Sequence, residues 1–265
     1  MESTYTLSTK DFTFEPFERI GFSGKLYLAK PQKDNLPRLI IKHENPCSAC
    51  NEFMYARLAK HFHLPVPNVY LMDVAPKDKR LFKTPYVGGI EYLDGLRSFT
   101  DEEMNAAPDG RREYCGHFAM AAMFEQEDSV QLSMTQDKHI AGIDFTETFF
   151  LTDVSAAMLS LPEETLTDLL IRRLQAFMNK DFTIWAKVGV DVMKEHLGES
   201  DAASVYPHYL APMKELLKMS KEDIETLTDT LTEVYPVSVT VYFEEYISIL
   251  KKKISAFFKA IGESI

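Results

Sequence analysis

Extended and helical patterns are segregated along this chain instead of alternating. Short apolar runs broken by Gly and Pro fill the first 93 residues, with a single helical stretch among them, and helical periodicity dominates from residue 100 to the end. A doubly wound α/β protein alternates strands and helices to its last element, so that architecture is excluded. The pattern predicts an α+β chain of two lobes with a cleft: a small antiparallel-sheet lobe with one helix over residues 1–93, and a mostly helical large lobe over residues 94–265.

Turn residues and periodicity place the elements. Residues 17–20, a turn at 21–24, an alternating run at 25–29 and, after Pro31 and Pro37, the run Arg38-Leu39-Ile40-Ile41-Lys42 read as three antiparallel strands. Met54, Leu58 and Phe62 recur every fourth residue and put an apolar stripe on a helix that starts near Ser48 and stops before Pro65 and Pro67. Strands follow at 66–74, 81–86 and 88–93. Beyond them helices are expected at 111–123, 163–179, 182–196, 212–219, 222–232 and 239–261, interrupted by a short apolar run starting at Ile140. Ser220 with Asp223 three residues on reads as a helix cap, and Lys251-Lys252-Lys253 as the solvated face of the last helix.

Charge narrows the function. With 29 basic against 40 acidic residues the net charge is -11, a surface that repels phosphate backbones and anionic lipid and argues against general nucleic-acid binding. Cationic partners or metal-bridged phosphates suit it better. No apolar run approaches the roughly 20 residues of a membrane span, Met1-Glu2-Ser3-Thr4 lacks the basic and apolar regions of a secretory signal, and the 3 cysteines do not make a disulfide framework. The expected compartment is the cytoplasm.

The residues that carry chemistry come in an ordered set. Gly21, Ser23 and Gly24 form a turn that lets backbone N–H groups approach phosphates, Lys42 ends the following strand as a point charge for them, and Glu52 on the first helix orients that lysine. Much later Ile143-Asp144-Phe145 places a carboxylate straight after a short apolar strand, where it can hold magnesium against phosphates.

These residues resemble one superfamily. Leu39-Ile40-Ile41-Lys42, Asn51-Glu52-Phe53 and Leu64-Pro65-Val66-Pro67 look like the small lobe of HipA-like serine/threonine kinases and their relatives, the phosphatidylinositol kinases. The resemblance covers about residues 17–150 and implies a two-lobed protein-kinase-like fold using ATP and magnesium. It implies that Lys42 contacts phosphate, that Glu52 pairs with it, and that Ile90-Glu91-Tyr92-Leu93-Asp94-Gly95 is the hinge, with Glu91 and Leu93 against adenine and Ile41 and Ile143 as apolar walls. The family's catalytic loop, Asp-Arg-His-x-x-Asn, precedes an Ile-Asp-Phe whose Asp binds magnesium. In that register Asp144 and Gln131 are the metal residues, but Gln126 replaces the catalytic Asp, Glu127 the Arg and Asp128 the His. A glutamine side chain cannot act as a base, so Asp128, the carboxylate nearest Gln131, is assigned to orient the acceptor hydroxyl.

The expected activity is therefore phosphoryl transfer to a protein Ser/Thr hydroxyl or to the chain itself, with a protein substrate or regulatory partner. The competing expectation is a pseudokinase that binds nucleotide as a regulatory module. A small-molecule kinase of the aminoglycoside or choline type fits less well, because the loop lacks His-x-Asp. Cys47-Ser48-Ala49-Cys50 precedes a helix as redox pairs do, and Cys115 with His117 could complete a zinc site, but their spacing is poor and ordinary packing is preferred. His61, His63, His139, His196 and His208 are scattered, no Gly-x-Ser-x-Gly elbow occurs, and Trp185 is expected in the large-lobe core.

Overall fold

The computed structural model describes residues 6–17, 26–42, 46–126, 129–145, 148–149 and 161–264; the side chains of Pro46 and Cys47 fall outside it as well. The first lobe is a six-stranded sheet built from β1 (Thr6–Ser8), β2 (Phe12–Pro16), β3 (Leu26–Pro31), β4 (Leu39–Lys42), β5 (Val69–Asp73) and β6 (Tyr86–Glu91). Their spatial order is β1-β5-β6-β4-β3-β2. Helix α1 (Pro46–His61) packs on β5 and β6. Its close approach is set by Gly88 on β6, where a Cβ would lie 3.2 Å from that of Ala49.

Alternation along the strands sorts side chains onto two faces. Phe12, Ala29, Leu39, Ile41, Met72 and Phe82 form a small core on the face away from α1. On the other face, α1 contributes Phe53, Met54, Tyr55 and Leu58 to one continuous core that runs into the helical lobe. The lobes thus share their main hydrophobic core.

The second part begins with α2 (Asp101–Ala106) and α3 (Gly110–Met123), followed by a hairpin of β7 (Gln131–Met134) and β8 (Ile140–Ile143). Next come α4 (Glu163–Asn179), α5 (Phe182–Leu197), α6 (Tyr206–Tyr209), α7 (Ala211–Lys218), α8 (Lys221–Thr228) and α9 (Val237–Ile261). Helix α9 is the axis of this lobe: α4, α5, α7 and α8 all pack on it, and its stripe of Tyr242, Phe243, Tyr246, Leu250, Ile254 and Phe257 is buried. Two hydroxyls on that stripe find backbone acceptors within the core, Tyr242 donating to the Phe149 carbonyl at 2.6 Å and Tyr246 to the Met123 carbonyl at 3.0 Å. Among the described residues no helix is long and apolar enough to cross a membrane.

Several expectations need correction. The strand paired with β3 lies at 12–16, earlier than the expected 17–20, and the expected turn at 21–24 lies outside the described residues. The sheet is not wholly antiparallel, because β1 runs parallel to β5. Residues 81–85 form no strand: Leu81 and Phe82 close a turn onto the Asp78 carbonyl, and Phe82 plugs the outer core. Residues 131–134, for which no element was expected, form a strand, since Leu132 and Met134 pack with Ile140. Lys251 and Lys253 are not simply solvated. Lys251 donates to the Met219 carbonyl at 2.6 Å, and Lys253 to the Met178 and Lys180 carbonyls at the end of α4, a favourable place for a cation. Trp185 is 58% exposed, because the core-facing line of α5 runs through Phe182, Ala186, Val190 and Met193 and leaves Trp185 one residue off it. Ser220 caps α8 with Asp223 in a reciprocal capping box, as expected.

Candidate active site

In β4 the buried residues are Leu39 and Ile41, so Lys42 projects from the opposite face, beneath α1. There Glu52 meets it. The Lys42 ammonium binds the Glu52 carboxylate and, at 2.7 Å, Oδ1 of Asp144. Side-chain exposure is 12% for Lys42, 3% for Glu52 and 35% for Asp144, so two carboxylates share one cation at the edge of the core. Burial lifts the Glu52 carboxyl above the usual carboxylate range, Lys42 opposes the rise, and the charge of Asp144 adds to it. Without Lys42 the glutamate would be an uncompensated buried charge, which is strongly destabilising.

Asp144 follows β8 in a left-handed backbone conformation, φ 64°, one that Asp tolerates better than most residues. Gln131 opens β7 opposite Ile143, and its side-chain amide donates to Asp144 Oδ2 at 3.3 Å. The next residue anchors the hairpin. The Phe145 ring stacks on Tyr55 of α1, centroids 3.7 Å apart, and lies parallel to His117 of α3 at 6.5 Å. Gly142 is needed here, because a Cβ would come within 2.7 Å of both the His117 and Phe145 rings. Its N–H donates to the Pro65 carbonyl at 3.1 Å, tying the hairpin to the loop after α1.

Between the lobes lies a slot lined by Glu52, Ala56, Val66, Pro67, Val69, Ile90, Asp144 and Phe145. Its free volume is about 10 Å³, space for about one water molecule. At its edge the Glu91 N–H is taken by the Asn68 carbonyl and the Tyr92 N–H by the Arg38 carbonyl. Leu93 offers the next backbone N–H of the hinge. The Glu91 carboxylate accepts from the Asn68 side chain. The expected wall Ile41 belongs to the outer core instead, as alternation demands once Lys42 faces the cleft; Ile90, Val66 and Val69 line the slot.

The donor set fits a magnesium nucleotide. Magnesium prefers oxygen ligands and uses one or two carboxylates together with substrate phosphates; Asp144 supplies a carboxylate and Gln131 an amide oxygen beside it. Among the described residues no group of three or more His, Cys, Asp or Glu side chains is arranged to hold a metal by itself. Lys42 sets a cation beside Asp144.

The structure thus brings Lys42, Glu52, Asp144 and Gln131 together; Glu91 ends β6 next to the slot residue Ile90, and Leu93 follows two residues on. Gly21, Ser23, Gly24 and Asp128 lie outside the described residues. Gln126 donates to the Ser129 carbonyl at 3.2 Å. Cys50 and Cys115 are buried in the main core, and burial pushes the Cys115 thiol up to about 12. Sequence reasoning missed Glu113, a carboxylate 1% exposed on α3 that accepts from the Ile140 N–H at 2.7 Å and pairs with His139 at 2.8 Å, fixing the start of β8. The signal was present: Glu113 stands on the same helical stripe as His117, Met120 and Met123, where an acidic residue needs a buried partner.

No family model matches the sequence, and no curated protein matches it. Among solved structures, a Helicobacter pylori proinflammatory kinase, CtkA, is similar over 98% of this chain and 100% of that one, with a TM-score of 0.65 and 11% sequence identity. At that identity the likeness is one of fold, and the fold is kinase-like.

Proposed function

We propose that this chain is an ATP-dependent phosphotransferase acting on a protein Ser/Thr hydroxyl or on itself. One observation carries the reading: Lys42 from the sheet meets Glu52 from α1 and Asp144 from the hairpin, 10 and 102 residues away in sequence. The kinase-like fold supports it. The finer placement, beside HipA-like and phosphatidylinositol kinases, rests on the sequence runs around Lys42, Glu52 and Pro65, and the lobe division after residue 93 on the change from strand to helix patterns there.

In this reading Lys42 binds phosphate oxygens, Glu52 keeps the ammonium in place, and Asp144 with Gln131 holds magnesium. ATP supplies the phosphoryl group and magnesium neutralises its charge. The base lies against the backbone at Leu93, the slot between Ile90 and Val66 having to widen from its one-water volume to admit it, the turn carrying Gly21, Ser23 and Gly24 covers the phosphates, and Asp128 orients the acceptor hydroxyl. Transfer of radiolabelled γ-phosphate tests the assignment. Asp144→Ala abolishes it, and Asp128→Ala lowers turnover far more than nucleotide affinity; wild-type transfer by both variants contradicts the reading.

A second reading, a nucleotide-binding module without transfer, is favoured by Gln126, whose amide is engaged with Ser129 at the position of the family's catalytic Asp. Nucleotide-dependent stabilisation with no labelled product selects it.

A further inference from the structure

Helix α1 is held from two sides. Glu52 faces Lys42, and five residues on Arg57 leaves the helix toward the helical lobe. Five residues turn a helix by about 140° and advance it by about 7.5 Å, so the two side chains grip different faces at different heights. Arg57 Nη2 donates to the Thr226 carbonyl at 2.9 Å and Nη1 to the Thr230 hydroxyl at 3.1 Å, while the guanidinium lies 5.6 Å from the centre of the Phe53 ring one turn back. Thr226 is in the last turn of α8, where carbonyls lack helical partners and a cation is favoured.

The receiving platform is itself braced. The capping box of Ser220 starts α8, the single proton of the Thr228 hydroxyl is shared among acceptors that include the Ile224 carbonyl at 3.1 Å and Glu244 of α9 at 3.3 Å, and Leu231 in the following 3-10 turn is fully buried. A second tie reaches from that turn to the sheet, Thr6 donating to the Glu233 carboxylate at 2.9 Å. Nothing in the Lys42–Glu52 pair requires either contact, yet together they join α1 and the sheet edge to one segment of the other lobe.

We infer that Arg57 is a positioning residue: by binding Thr226 and Thr230 it fixes the rotation of α1 against the helical lobe and so keeps Glu52 on Lys42. The catalytic consequence rests on the phosphotransferase reading; the mechanical one does not. The segment of α8 and its 3-10 turn then serves as a built-in brace that sets the geometry of the phosphate-binding lysine.

The test uses the full chain with Arg57→Ala, Arg57→Lys and Thr230→Val, the last removing only a hydroxyl should Arg57→Ala fail to fold. Hydrogen exchange is read across residues 46–61 and across α9, beside the kinetics of transfer. Arg57→Ala is expected to speed exchange in α1 and lower kcat by about 10- to 100-fold, the worth of hydrogen bonds from a charged donor. Thr230→Val should lower kcat by about 3- to 10-fold, Arg57→Lys should restore part of the loss, and α9 should exchange as in the wild type. In a Glu52→Gln background Arg57→Ala should add nothing further, since both act on one contact. Wild-type exchange in α1 of Arg57→Ala, or losses that multiply with Glu52→Gln, overturns the inference. A wild type without transfer defeats the phosphotransferase reading alone, and the exchange of α1 still decides the brace.

Discussion

His117 makes the fold acid-sensitive by an amount that can be worked out. Its ring is fully buried on α3, parallel to Phe145. Burial drives its pKa down to about 4 from 6.5; the carbonyls of Ile140 and Pro65 pull weakly the other way, and Arg112 adds to the depression. The unfolded chain therefore binds a proton between those values that the folded chain refuses. For a depressed histidine the stabilising contribution is present above the unfolded pKa and lost as pH falls toward the folded one. Between pH 7 and pH 5 the loss is about 2 kcal/mol. Urea unfolding of the wild type and of His117→Asn at pH 7, 6 and 5 isolates the term, because every other titrating group is common to both. The stability of the wild type relative to the variant should fall by about 2 kcal/mol over that range, with unchanged denaturant slopes. Parallel pH profiles would refute the reasoning.

Two further substitutions probe the same region. Gly142→Ala drives a methyl to within 2.7 Å of the His117 and Phe145 rings; it should cost about 1–3 kcal/mol in urea unfolding and weaken magnesium-nucleotide binding by displacing Asp144. Lys42→Met leaves Glu52 buried without its cation and should cost about 3–5 kcal/mol at pH 7. Because burial raises the Glu52 carboxyl, the folded variant takes up a proton more readily than the unfolded one, and part of that stability should return at pH 5 in the same assay.

The helical lobe was legible because its signals are local. The expected helix at 163–179 coincides with α4, and the Ser220 cap is where the sequence puts it. The sheet was harder, since pairing is non-local: nothing around Thr6 announces a parallel partner 65 residues away at Leu71, and Phe82 looks like part of a strand because one large apolar residue imitates alternation. At the site, Lys42 and Asp144 could be picked out because each stands at the end of a short apolar strand, and Glu52 because it is an acidic residue on the one helix among the strands. Ile41 was misplaced by ignoring the strand parity that Lys42 itself sets. Arg57 escaped notice because its partners, an α8 carbonyl and the Thr230 hydroxyl, lie 169 and 173 residues away, and Glu113 because its place on the buried stripe of α3 went unweighed. Trp185 was placed in the core on hydrophobicity alone, without counting its offset from the stripe of Phe182 and Ala186.

The central claim, that the cleft around Lys42 and Asp144 holds a magnesium nucleotide, is tested most directly by thermal unfolding with ATP, with and without magnesium, in the wild type and in Asp144→Ala. Ligand at about 100 times its dissociation constant stabilises a fold by about 2.7 kcal/mol. The account predicts an upward shift in Tm that needs magnesium and disappears in Asp144→Ala. No shift at millimolar ATP, or the same shift in the variant, would contradict it.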